Sequence, residues 1–249
     1  MSGHNKWSTI KHKKGRADAA RGKLFTKLIR EIVVATRSGG KDPEGNPRLR
    51  AGVIAARGAN MPKDTIERAI KRGAGEIEGE TYEELTYEGY GPGGVAFMVE
   101  ALTSNRNRTV AEVRHAFSKR GGNLGTDGSV AWMFERRGFV GVNSEETDFD
   151  GLFEAAVEAG ADDVEAGDPL HAVYCEFGDL HEVSAGLEDA GFNIIEVKTV
   201  RIATNTIAVT GKDVERTIKL MEMLDELDDV QNVYSNAEIS DEELAQFMG

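Results

Sequence analysis

The sequence predicts an α+β protein: an N-terminal three-helix domain followed by two α/β domains, with the third domain, a ferredoxin-like split βαβ unit, inserted in the second. Three observations predict it. Up to residue 80 the apolar residues recur only at helical spacing. Residues 138–202 read strand, helix, strand, strand, helix, strand, which is the split βαβ order. The strand, helix and strand after residue 203 are too few to bury a sheet face alone, so they must complete a ββαβ segment begun at residue 81. The expected domains are therefore 1–80, 81–137 with 203–240, and 138–202.

In "GKLFTKLIREIVVATRSGG", Leu24, Phe25, Leu28, Ile29, Ile32 and Val33 form one helical face, and Ser38-Gly39-Gly40 ends it. "NPRLRAGVIAARG" supplies Asn46 as N-cap and Pro47 at the first helical position, where its missing N–H costs nothing. "MPKDTIERAIKRG" repeats that device with Pro62, buries Ile66, Ala69 and Ile70, and stops at Gly73. "AGEIEGE", residues 74–80, is a Gly/Glu linker. Beyond it "ELTYEGY" and "VAFMVEAL" read as strands around the turn "GPGG", then "RTVAEVRHAFSKRGG" as a helix and "SVAWMFE" as a strand. "GFVGV", "DFDGLFEAAVEAG", "DDVEA", "HAVYCEF", "DLHEVSAGLEDAG" and "FNIIEVKTV" make the inserted unit. "TIAVT", "KDVERTIKLMEMLDELDD" and "VQNVYS" make the returning strand, helix and strand.

Charge is divided unevenly along the chain. Residues 1–80 hold 18 Lys and Arg against 9 Asp and Glu, a balance of +9, whereas residues 81–249 hold 12 against 34, a balance of −22. A basic segment joined to a strongly acidic one suits a polyanion partner held at one place and repelled elsewhere. The expected phosphate ligands are Lys6, Lys11, His12, Lys13, Lys14, Arg16, Arg21 and Lys23 in the arm and first helix. Arg48, Arg50, Lys63, Arg68, Lys71 and Arg72 follow on the next two helices. Trp7 is either a stacking platform for an unpaired base or the arm's anchor on its own domain. In "TSNRNRT", Arg106 and Arg108 enter a helix whose exposed N–H groups, with Asn105 or Asn107, either bind an anion or are capped by those polar residues.

Other chemistry finds little support. "GYGPGG" fits G-x-G-x-x-G, but a proline and a strand follow where a dinucleotide site needs a helix, so a hairpin is expected. The five histidines lack ligand spacing, and Cys175 alternates with Val173 and Phe177 as a buried strand face does. The acidic cluster Asp225, Glu226, Asp228 and Asp229 reads as a solvated helix end. No catalytic residue, metal site or cofactor is expected. A lone cysteine fits a reducing compartment, and no apolar run reaches the ~20 residues of a bilayer span, so a cytoplasmic protein without membrane contact is expected.

"GHNKWSTIKHKK", "RGKLFTKLIREI", "NMPKDTIERAIKRG", "YEGYGPGGVA", "NRNRTVAEVRHAFSK" and "ELDDVQNVYSN" strongly resemble the YebC/PmpR family of probable transcriptional regulators. The resemblance runs nearly the whole length and is most specific in the first 135 residues. It implies three domains, one helical and two α/β, and a role in gene expression. Some members of that family bind DNA, a mitochondrial relative activates translation, and bacterial members are linked to the ribosome. It implies no agreed catalytic residues. For this chain, DNA and ribosomal RNA both stay open as partners. A helix led by Lys63, Asp64, Thr65 and Glu67 is poorly suited to reading duplex bases, because carboxylates repel phosphate. A third reading is an adaptor that binds a ribosomal or other protein through the acidic α/β domains.

Overall fold

The computed structural model describes residues 17–248. They lie in two compact units, each built from separate stretches of chain: Arg21–Gly79 with Arg136–Arg201, and Glu80–Glu135 with Ile202–Gly249.

The first unit opens with three helices, α1 (Ala17–Gly39), α2 (Pro47–Gly58) and α3 (Lys63–Gly73). Asn46 builds the corner between α1 and α2. Its buried side chain accepts from Leu49 N at 3.1 Å, capping α2, and donates through Nδ2 to the Ala35 and Gly40 carbonyls, both at 2.8 Å. One amide thus satisfies orphan groups of two helix ends. Glycine sets the spacing between α1 and α3: a Cβ on Gly73 would sit 2.5 Å from the Val33 carbonyl oxygen, so no other residue allows that approach. Pro62 differs from expectation. It is the N-cap rather than the first helical residue, with ψ 138°, and its carbonyl receives Thr65 N at 2.9 Å. Asn60, in the left-handed region at φ 57°, turns the chain there.

The same unit contains β4 (Phe134–Asn143), α5 (Phe149–Glu158), β5 (Asp163–Glu165), β6 (Leu170–Glu176), α6 (Leu180–Asp189) and β7 (Ile194–Ala203), in sheet order β5-β6-β4-β7. With β4 first in sequence this is the ferredoxin-like order, and the pairings β4–β6 and β5–β6 are antiparallel. Val140, Val142, Val173 and Cys175 meet Leu152, Ala156, Val183 and Leu187 in one core, against which Ala51 and Ile54 of α2 also pack. The Cys175 thiol is pushed up to about 11, chiefly by burial and then by Asp162 and Asp179, so it is an inert core group.

In the second unit β1 (Glu83–Tyr90) and β2 (Ala96–Thr103) form an antiparallel hairpin, closed by Gly91 N donating to the Val95 carbonyl at 2.7 Å. Gly93 and Gly94 both have positive φ, 69° and 78°, so the turn itself calls for the glycines of "GPGG". Helix α4 (Arg106–Lys119) and α7 (Lys212–Asp225) pack on a sheet of order β3-β1-β2-β9, where β3 is Asn123–Leu124 and β9 is Val230–Ser235. Phe97 and Phe117 meet edge to face at 5.8 Å, in a core shared with Val113, Ile218, Leu224 and Val233.

Three elements depart from the sequence pattern. "SVAWMFE" is not one strand: residues 131–133 form a 3-10 turn, and only Phe134 begins β4. The buried Glu88 carboxylate explains it. It accepts from Gly128 N and Val130 N, each at 2.7 Å, and from Ala131 N at 2.8 Å, taking up N–H groups a ladder would use. "TIAVT" contributes only β8 (Ile207–Ala208), which pairs in parallel with β10 (Ala237–Glu238) outside the main sheet. A terminal helix, α8 (Asp241–Met248), follows the last expected strand, with Ser240 Oγ accepting from Glu243 N at 3.2 Å and Leu244 buried.

Candidate nucleic-acid interface

The expected phosphate ligands divide into three groups. Lys6, Trp7, Lys11, His12, Lys13, Lys14 and Arg16 lie outside the described residues. A second group has structural partners. Arg48 donates from Nε to Glu31 Oε1 at 2.6 Å and from its Nη2 to Oε2 at 3.2 Å, a two-bond clasp between α2 and α1. Arg50 donates to the Pro43 carbonyl at 3.2 Å and the Glu44 carbonyl at 2.9 Å, closing the loop before α2.

Arg108 is tied to a buried carboxylate. Its Nη2 reaches both oxygens of Asp229, at 2.9 and 2.7 Å, while Thr103 and Thr109 hydroxyls donate to Oδ2 at 3.0 and 2.7 Å. Asp229 is 1% exposed, so it is no part of a solvated acidic helix end. Burial alone would push its carboxyl up, but hydrogen bonds from Arg108, Thr109 and Thr103 and the arginine charge outweigh that and hold it below the usual value. One of the first N–H groups of α4 is likewise taken. Asn105 Oδ1 accepts from Arg108 N at 3.1 Å, the capping role. Arg106 is exposed at the first turn of that helix.

Four of the remaining cations, Lys63, Arg68, Lys71 and Arg72, lie on α3. Ile66, Ala69 and Gly73 point inward, and the 3.6-residue period puts Lys63, Arg68 and Lys71 on the outward arc with Asp64 and Glu67. Lys63 and Glu67 are one turn apart at 3.7 Å, an exposed pair of little consequence. Arg72 is half-buried, its stem lying where a Cβ on Gly79 would be 2.3 Å from Arg72 Cδ. Arg21 and Lys23 are exposed near the start of α1. Arg68 and Lys71 thus project from a helix fixed by its apolar face, suited to backbone phosphates rather than base edges. No group of His, Cys, Asp or Glu among the described residues gathers as a metal site, and no described helix is long and apolar enough to cross a membrane.

Two exposed aromatic side chains carry no signal in the sequence pattern. Trp132, placed there in a strand, is 69% exposed on the turn pinned by Glu88, and Tyr90 lies beside it. The glycine-rich "GGNLGTDGS" before it marked a turn, but the apolar run beginning at Val130 masked where the turn ended.

Comparison with known proteins supplies the family. The model of the TACO1/YebC protein N-terminal domain matches residues 5–76, and that of the TACO1/YebC second and third domain matches residues 82–237. A protein named "Probable transcriptional regulatory protein" from Geobacter sp. (strain M21) is 54% identical over 100% of both chains. One of the same name from Acidithiobacillus ferrooxidans (strain ATCC 53993 / BNL-5-31) is 58% identical over 99% of this chain and 98% of its own. The crystal structure of a conserved hypothetical protein from Aquifex aeolicus superposes with a TM-score of 0.85 at 52% identity, covering 90% of this chain and 93% of that one. With both family models spanning most of its length and full-length relatives above half identity, the chain belongs to the TACO1/YebC family.

Proposed function

We propose that the chain is a cytoplasmic regulator of gene expression that binds nucleic acid through phosphates, using the basic arm and the outward arc of α3. The observation that carries this is the charge division, +9 over residues 1–80 against −22 over the rest. Relatives named probable transcriptional regulatory proteins support the regulatory role. Helix α3 begins with Asp64 in its first turn, so it favours contact with the backbone over base reading and leaves structured RNA and duplex DNA as substrates of one chemistry.

Replacing Arg68 and Lys71 together by Ala tests it. Both side chains are exposed, so melting should be unchanged. Binding to an RNA hairpin and to duplex DNA should weaken alike for every sequence. The logarithmic salt slope should flatten by roughly 1.4 on single strands or 1.8 on duplex, at ~0.7 or ~0.9 per phosphate. An unchanged slope on both would remove α3 from the interface.

A further inference from the structure

We propose that Trp132 and Tyr90 form a second binding site, a rigid aromatic platform on which an unpaired base of single-stranded or looped RNA stacks; it rests on the nucleic-acid reading above and deepens it. Among the described residues Trp132 is the most exposed of the large hydrophobic side chains, at 69%, although it sits in a hydrogen-bonded turn. Residues are rarely left so when the ring contributes only to packing, because burying an indole is strongly favourable.

The turn is built to hold the ring outward. Glu88 grips the N–H groups of Gly128, Val130 and Ala131, so it pins the backbone on both sides of Ser129 and immediately before Trp132. Val130 is completely buried and anchors the same turn in the core. On the far side, the Met133 carbonyl receives Thr204 N at 2.9 Å and Thr204 Oγ1 at 3.1 Å. A single carbonyl then orients both rings. Ser129 O accepts from Trp132 Nε1 at 3.2 Å and from the Tyr90 hydroxyl at 3.0 Å. The indole has one donor and it is used here, so what Trp132 offers a ligand is its ring face. A ring face without a free donor accepts any base and specifies none, which is the chemistry of single-strand stacking.

The platform has its own face of the sheet. Tyr87 packs in the core beside Phe117 of α4, and a Cβ on Gly89 would meet the Phe117 ring at 2.9 Å, so by strand alternation Glu88 and Tyr90 point to the other face, where the turn carrying Trp132 lies. Residues 125–131 of the turn are small or polar apart from the buried Val130.

The chain has two tryptophans, so Trp7→Phe leaves Trp132 as the sole indole reporter. In that full-length background, oligouridylate should quench the emission saturably, whereas a blunt RNA duplex should not. Trp132→Ala should weaken oligouridylate binding roughly 5- to 150-fold with the salt slope unchanged, and Trp132→Phe should restore part of the loss. Equal affinity of Trp132→Ala and wild type for oligouridylate, with the Arg68/Lys71 variant still flattening the slope, would overturn the platform and spare the phosphate reading. Failure of wild type to bind any RNA or DNA would overturn both. If Trp132 emission is already shielded in the free protein and Trp132→Ala shifts sedimentation to a smaller species, the ring belongs to an interface with a second copy and the proposal fails.

Discussion

Removal of the Arg108 guanidinium, as Arg108→Met, is expected to lower unfolding free energy by about 2–3 kcal/mol at neutral pH. Breaking a buried pair commonly costs about 3–5 kcal/mol, and the lower figure applies because the arginine end is 46% exposed and partly screened. Asp229 would keep its two threonine bonds but lose its counter-charge while remaining buried. The effect should depend on pH in a fixed direction. A carboxyl whose folded pKa is held down adds stability above its unfolded value, near 3.9, and loses it as pH falls through the lower folded value. Wild type and variant should therefore differ most at neutral pH and converge in strong acid. Urea unfolding across pH checks this. Equal stabilities at neutral pH would show that Arg108 is not committed to Asp229.

Glu88→Ala is expected to be at least as severe, about 3–5 kcal/mol. Three backbone N–H groups lose a charged acceptor at once, and Val130 N is buried. Glu88→Gln should recover little, since one of its two terminal groups becomes a donor facing donors. Because the same carboxylate holds the turn that carries Trp132, Trp132 emission anisotropy should fall in Glu88→Ala below the melting transition. Near-wild-type stability with unchanged anisotropy would contradict the assignment of Glu88 as the turn's anchor.

Much of this architecture is legible because the chemistry is local. Asn46-Pro47 announces α2, Gly73 ends α3, and "GPGG" between two strand-like runs marks a hairpin. The ferredoxin-like order follows from periods alternating between two and 3.6 over residues 138–202. What fails is decided at long range. Val130 to Phe134 reads as a strand until a carboxylate 42 positions earlier takes its N–H groups. Arg48 and Arg108 read as phosphate ligands because their carboxylates lie 17 and 121 positions away, where charge counting cannot pair them. Helix α8 carries a local signal, since Ser240 and Glu243 have capping-box spacing, but eight residues, three of them acidic, are too few to show an apolar period. At the candidate site, then, the excess of cations could be read from sequence, and the choice of which cations are left over could not.

The central claim is that the basic N-terminal part holds phosphates that the acidic remainder repels. Deleting residues 2–16 tests it most directly, because it removes Lys6, Lys11, Lys13, Lys14 and Arg16, five cations and no carboxylate. Binding of wild type and deletion to a structured ribosomal RNA fragment and to duplex DNA should be measured across a salt series. If the five meet phosphates, the logarithmic salt slope should flatten by roughly 3.5 on single-stranded segments and 4.5 on duplex, with affinity falling for every sequence alike. An unaltered slope on both ligands would contradict the claim and give the lead to a protein-binding adaptor.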